Sequence, residues 1–276
     1  TIPRAEICSP CQLARLTAGT IVMRVAYVFP ARLDSQGGHV QHVLGLCRNA
    51  ALCGVDLTLI CLGGVPAGGD QGFRVREVRT GSDRVASRVI EFCSKATTIV
   101  KQERPDWLYS RQFPLDYFLL LARAKNAGVR YAYEINTLWK QELASKNSRF
   151  KSVLYPWIEE KSIRNAKAVV CVTCEIAAYA GRLVASPDAI LTVDNGILLP
   201  ELPSGATHSI RKKWGLPEHA CLVVMAGFTR PWHGHEKLIS ALVHLDERYE
   251  VVLVGSESAE VTEGVMSFCK ERGVQD

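Results

Sequence analysis

Residues 226–245, AGFTRPWHGHEKLISALVHL, follow directly on the apolar run Leu222–Ala226. The stretch reads as the end of a buried strand, a basic and aromatic turn with two glycines, and an amphipathic helix. That order aims backbone N–H groups, the positive end of a helix dipole and Arg230 at one point, an arrangement suited to a diphosphate. A strand that turns through glycine into a helix is also half of a βαβ unit. The same alternation runs through the rest of the chain.

Strands are expected at Val22–Phe29, Asp56–Leu62, Arg74–Val78, Trp107–Ser110, Arg130–Ile135, Ala168–Thr173 and Ile190–Val193, then at Leu222–Ala226 and Glu250–Val254. Several are β-branched on both faces, as in VVCVT and VVLV, the pattern of parallel strands covered on both sides. Helices are expected between them at Gly38–Cys53, Asp83–Glu103, Leu115–Ala127, Leu138–Asn165, Glu175–Val184, Glu236–Leu245 and Val261–Arg272. The fold class is therefore α/β, a doubly wound parallel sheet. At Leu199–Pro217, LPELPSGATHSIRKKWGLP, three prolines and two glycines interrupt the pattern and mark a linker with a short basic helix inside it. The expected organisation is an N-terminal extension over 1–22, a complete Rossmann-like domain over 23–199, a linker over 200–219 and the first βα units of a second Rossmann-like domain over 220–276.

Composition excludes several classes. With 47% hydrophobic and 22% charged residues the chain is of ordinary globular type, and its net charge of +5 is far short of a dedicated nucleic-acid binder. No apolar run approaches the ~18 residues of a membrane span. Residues 1–20 hold no continuous apolar core of a signal peptide. Of ten cysteines, Cys47, Cys53, Cys61, Cys93, Cys171, Cys221 and Cys269 sit in apolar periodic segments and read as small buried hydrophobes. The pairs Cys8/Cys11 and Cys171/Cys174 lack a second ligand pair at zinc spacing, so no metal is expected and a reducing, cytoplasmic setting is.

In open α/β sheets ligands bind beyond the carboxyl ends of the strands. Those ends carry Gly37 and Gly38, Arg111, Glu134 and Asn136, Thr173 and Glu175, and Asn195 and Gly196. Each has a plainer reading as a turn, helix start or surface ion pair. Gathered on one sheet edge, they point to a site. No G-x-x-x-x-G-K-[ST], no G-x-G-x-x-G after the first strand and no G-x-S-x-G occurs, which disfavours P-loop, dinucleotide and hydrolase chemistry.

MRVAYVFP, GGHVQHVLGLCRNAALCGVDLTLI, YEIN at 133–136, VVCVTCE at 169–175, TVDNGI at 192–197, AGFTRPWHGHEKLISAL and YEVVLVGS stand in an order that resembles the family 4 glycosyltransferases of GT-B fold, from about Val22 to the end. The resemblance implies a retaining hexosyltransferase-type enzyme. A sugar would pass from a nucleoside-diphosphate sugar to a polysaccharide, lipid-linked or other glycoconjugate acceptor, with no cofactor and no nucleic acid. It places Arg230, His233, Gly234, Gly37 and Gly38 at the donor diphosphate, with Arg230 and His233 as the catalytic pair. It places Arg111, Glu134, Asn136, Thr173, Glu175, Asn195 and Gly196 on the acceptor side of the cleft.

Two departures stand out. Where the family commonly has Arg after the strand's glycine and Lys before the second glycine, this chain has Phe228 and His233. The family's acidic E-x7-E segment would fall beyond Asp276, so the resemblance implies a C-terminally truncated chain, inactive alone. The alternative is a truncated or degenerate relative that binds a nucleotide or a partner without catalysis; another GT-B enzyme, a sugar-nucleotide epimerase, is a third reading. Finally, residues 138–167 carry seven cations (Lys140, Lys146, Arg149, Lys151, Lys161, Arg164, Lys167) against Glu142, Glu159 and Glu160, interleaved with Trp139, Phe150, Tyr155 and Trp157. Peripheral contact with the inner face of a membrane is one reading; the plainer one has the aromatics packing on the sheet.

Overall fold

The computed structural model describes residues 22–35, 37–65, 72–143, 149–196, 210–227, 234–242, 244–246, 248–255, 259–271 and 273. The chain divides into two compact units, Thr1–Leu199 and Pro200–Asp276.

The first unit is a seven-stranded, all-parallel sheet. Its strands are β1 (Arg24–Phe29), β2 (Asp56–Cys61), β3 (Arg74–Glu77), β4 (Trp107–Arg111), β5 (Arg130–Ile135), β6 (Ala168–Cys171) and β7 (Ile190–Thr192), in the order β3-β2-β1-β4-β5-β6-β7. Helices α1 (Gly38–Leu52), α2 (Val85–Glu103), α3 (Ala122–Asn126), α4 (Trp139–Glu142), α5 (Arg149–Asn165) and α6 (Cys174–Gly181) connect them.

The chain leaves β1 in one direction to build β2 and β3, then returns past β1 to build β4–β7. Right-handed crossovers therefore place α1 on one face and the later helices on the other. The core divides accordingly. Tyr27, Phe29, Leu57 and Leu59 pack with Val40, Val43, Leu44 and Cys47 of α1. Ala26, Val28, Ile60, Leu108 and Tyr133 pack with Phe92, Leu120, Ile163 and Ile176. Successive residues of β1 point to opposite layers, and Ala26, Tyr27 and Val28 are all fully buried, as a strand covered on both faces requires.

Two helix expectations are corrected. Residues 138–165 form α4 and α5 as separate helices, and residues 144–148 between them fall outside the described set. The segment expected as Leu115–Ala127 starts with a π-helical turn, Tyr117–Leu121, and Leu115 takes φ +64°. A buried carboxylate anchors that turn. Asp116 accepts from the backbone N–H groups of Phe113 and Tyr117, from the Tyr133 hydroxyl at 2.7 Å and from the Ser162 hydroxyl at 2.9 Å. Burial pushes its carboxyl up to about 6 despite those four donors.

Cys47, Cys61, Cys93 and Cys171 are buried as expected. Cys53 and Cys221 are instead exposed, the first because it follows the last turn of α1, the second because it begins a strand of the thinly covered second unit. That unit holds α7 (Ile210–Trp214), then β8 (Cys221–Ala226) and β9 (Tyr249–Val254) paired in parallel, with α8 (His235–Leu242) between them and α9 (Ala259–Glu271) after. Among its described residues Ala220 and Ile239 are buried, while Val224 and Leu253 remain largely exposed.

Candidate functional site

Parallel register decides which side chains share a face. Tyr27 pairs with Tyr109, Tyr109 with Ala132, and Arg111 with Glu134, so Tyr27, Tyr109, Arg111 and Glu134 all project to the α1 side. Glu134 lies at the carboxyl end of β5 and is 1% exposed. A carboxylate buried this deeply needs donors, and four groups surround it. His42 of α1 brings Nε2 to 3.0 Å from Oε1. The Tyr109 hydroxyl donates to Oε2 at 2.7 Å, the Asn136 amide donates to Oε1, and Arg111 Nε stands 3.8 Å away. Burial alone would raise the Glu134 carboxyl. The hydrogen bonds from His42, Asn136 and Tyr109 outweigh it and hold the group below the usual carboxylate range. Glu134 is ionised at neutral pH.

The cluster leaves hydrogen-bonding capacity unspent. Arg111 Nη1, Asn136 Oδ1 and the Tyr27 hydroxyl are buried and have no partner among the described residues. The Tyr27 ring meets Tyr109 edge-on, with centroids 4.9 Å apart. Beside it the first turn of α1 opens at Gly37, whose φ of +144° and ψ of +154° belong to a region only glycine enters without strain. A Cβ there would meet the His39 ring at 2.8 Å. Burial and the Arg111 cation both lower the His39 imidazole, which packs near Phe29 and stays neutral at pH 7.

Of the residues named from sequence, Arg111, Glu134 and Asn136 form one cluster. Gly37 and Gly38 open the helix that delivers His42 to it. Thr173 and Glu175 are exposed at the start of α6, where the Thr173 hydroxyl accepts from the Ile176 N–H and caps the helix. Asn195 and Gly196 are exposed beyond β7. Gly234 is partly buried with φ +76° at the head of α8, and Arg230 and His233 lie outside the described residues. Sequence reasoning missed His42 and Tyr109. Strand parity with Arg111 would have found Tyr109, and the helical spacing from Gly38 would have put His42 over the same face. No group of three His, Cys, Asp or Glu side chains suited to a metal ion occurs among the described residues.

A further buried carboxylate stands, with Asp116, in the opposite layer. Glu159 of α5 accepts from the Trp139 N–H and the Gln112 amide, and burial pushes it up to about 7.

Residues 37–196 match the family model described as a glycosyl transferase 4-like domain, more than half of the chain. The chain belongs to that family. The matched span includes His42, Tyr109, Arg111, Glu134 and Asn136 of the cluster, while Tyr27 lies before it. A D-inositol 3-phosphate glycosyltransferase of Xylanimonas cellulosilytica is 34% identical over 111 residues, 38% of this chain and 27% of that protein, so the chain spans about a quarter of the length of this curated relative. Among solved structures, HepE of Anabaena in complex with UDP and glucose is similar with a TM-score of 0.66 at 14% identity, over 92% of this chain and 67% of that one. The sucrose-phosphate synthase of Thermosynechococcus elongatus is similar with a TM-score of 0.68 at 12% identity, over 92% of this chain and 69% of the other. These structural likenesses establish a GT-B-type α/β fold.

Proposed function

We propose that this chain belongs to a retaining glycosyltransferase that moves a hexose from a nucleoside-diphosphate sugar to an acceptor hydroxyl. The acceptor is held at the carboxyl edge of the first unit's sheet and the diphosphate by the second unit. The observation that carries this reading is the buried Glu134 cluster, placed at that edge and inside the span that matches the family. Glu134 is too deeply buried and too fully engaged to act on a sugar itself. It is a positioning residue that orients His42, Arg111 and Asn136, and the partly exposed side chains of His42 and Arg111 are the groups that an acceptor's hydroxyls reach.

In the transfer the bond from the anomeric carbon to the diphosphate oxygen breaks. A bond to the acceptor oxygen forms on the same face, and the acceptor hydroxyl gives its proton to the departing diphosphate oxygen. Charge develops on the departing diphosphate, and preorganised donors there are worth roughly 3–4 kcal/mol each. The Gly234 N–H at the head of α8, with Arg230 and His233, fills that role in this reading. A relative solved with UDP supports a uridine nucleotide as the probe. Calorimetric titration of UDP into the full chain should show that Arg230→Ala weakens binding far more than His219→Ala. Equal losses would sink the assignment of Arg230. UDP binding with no sugar transfer to any acceptor hydroxyl offered would favour the non-catalytic alternative.

A further inference from the structure

The outer face of α5 is the least explained surface of the first unit. Phe150, Val153 and Trp157 follow one another at helical spacing and are 75%, 74% and 47% exposed. Lys161 and Arg164 continue the same stripe, and Lys151 flanks it. Phe118, from the π turn, stacks on Trp157 with centroids 5.6 Å apart, and the Lys161 ammonium sits 5.5 Å over the Trp157 ring. The plainer sequence reading, aromatics packed on the sheet, does not hold for Phe150 or Trp157, which are exposed, and Tyr155 meets Trp139 of α4 edge-on. The inward face of the helix is carried instead by Ile158, Glu159, Ser162 and Ile163, all buried.

We propose that this stripe is a docking surface for an anionic lipid bilayer. Exposed Phe and Trp with cations at the same level are the composition of an interfacial helix, in which rings enter the acyl boundary and lysines reach the headgroups. Charge favours lipid over a second copy of the chain. A two-fold dimer through this face would set Lys151 and Lys161 against their own equivalents, whereas phosphate headgroups neutralise them; Arg164 is already paired with Glu160 at 3.6 Å. Topology gives the contact a consequence. Because α5 links two parallel strands it runs against them, so its apolar first half, Phe150 to Trp157, lies towards the carboxyl edge of the sheet. The Glu134 cluster opens at that edge, which directs the site towards groups anchored in the bilayer. No helix among the described residues is long and apolar enough to cross a membrane.

The test uses the full chain with phosphatidylcholine vesicles made with and without phosphatidylglycerol, followed by flotation and by tryptophan emission. Binding is expected with the anionic vesicles alone, weaker at higher salt, and accompanied by a blue shift that Trp157→Phe abolishes. Lys151→Ala and Lys161→Ala should each lower the partition coefficient about fivefold, and F150S/V153S should lower it further with circular dichroism and melting unchanged. Absence of binding to anionic vesicles, or binding indifferent to all four variants, would overturn the proposal. So would a dimer in sedimentation equilibrium that Phe150→Ser dissolves. No donor sugar enters the assay, so its outcome stands apart from that of the transferase reading.

Discussion

Asp116 and Glu134 show how differently two buried carboxylates are used. Glu134 is surrounded by donors that outweigh its burial, and it stays charged beside an open edge. Asp116 also has four donors, yet burial wins and its carboxyl titrates near 6. The Tyr133 hydroxyl, 2.7 Å away, bonds the charged form and so pulls that value down. Tyr133→Phe should therefore cost about 1–3 kcal/mol at pH 8, where Asp116 is ionised, and distinctly less at pH 5, where it is mostly protonated. Urea denaturation at the two pH values is the check, and equal losses would show that the bond does not discriminate charge. Nothing in the local sequence marks Asp116 or Glu134 as buried. Asp116 follows a proline-leucine turn and Glu134 interrupts an apolar strand; their partners come from segments up to 92 residues away.

At the scale of elements, Thr173 illustrates a residue read for the site and spent on the helix. Its hydroxyl lies 3.3 Å from the Ile176 N–H and satisfies one of the free donors at the start of α6. Thr173→Ala should lower stability by about 1 kcal/mol and Thr173→Ser by only a few tenths, read as shifts in the thermal midpoint. An unchanged midpoint in the alanine variant would return Thr173 to the list of free ligand-binding groups. Strands β1, β4 and β5 were legible because buried parallel strands are apolar on both faces, a local property. The end of α4 at Glu142 was not, because the apolar and aromatic spacing runs on past Leu143 and gives no local sign of a stop there.

For the molecule as a whole, two raised carboxylates give the first unit a definite pH response. Asp116 titrates near 6 and Glu159 near 7, both above the values of an exposed carboxyl. In the interval between unfolded and folded values the folded state binds more protons. This contribution to stability is therefore full below about pH 4 and is lost as pH rises towards 7. Glu159→Gln removes its share. The decline in stability between pH 5 and 7.5 should become shallower, with a gain at pH 8 of no more than about 3 kcal/mol. Superimposable pH profiles for the two proteins would refute the role of Glu159.

The sequence by itself determined the alternation of strands and helices, the change of character near residue 200 and the strand ends that could carry a ligand. Hydrophobic period and turn chemistry act over a few residues and can be read there. Only the tertiary structure decided which of those ends meet. The order β3-β2-β1-β4-β5-β6-β7 sets Tyr27, Tyr109, Arg111 and Glu134 on one face, and the crossover after β1 lays His42 over them. It also turned Phe150, Val153 and Trp157 outward, because burying Ile158, Glu159, Ser162 and Ile163 leaves that side of the helix to the solvent. Strand order and helix rotation depend on contacts between distant segments, and no local window of sequence contains them.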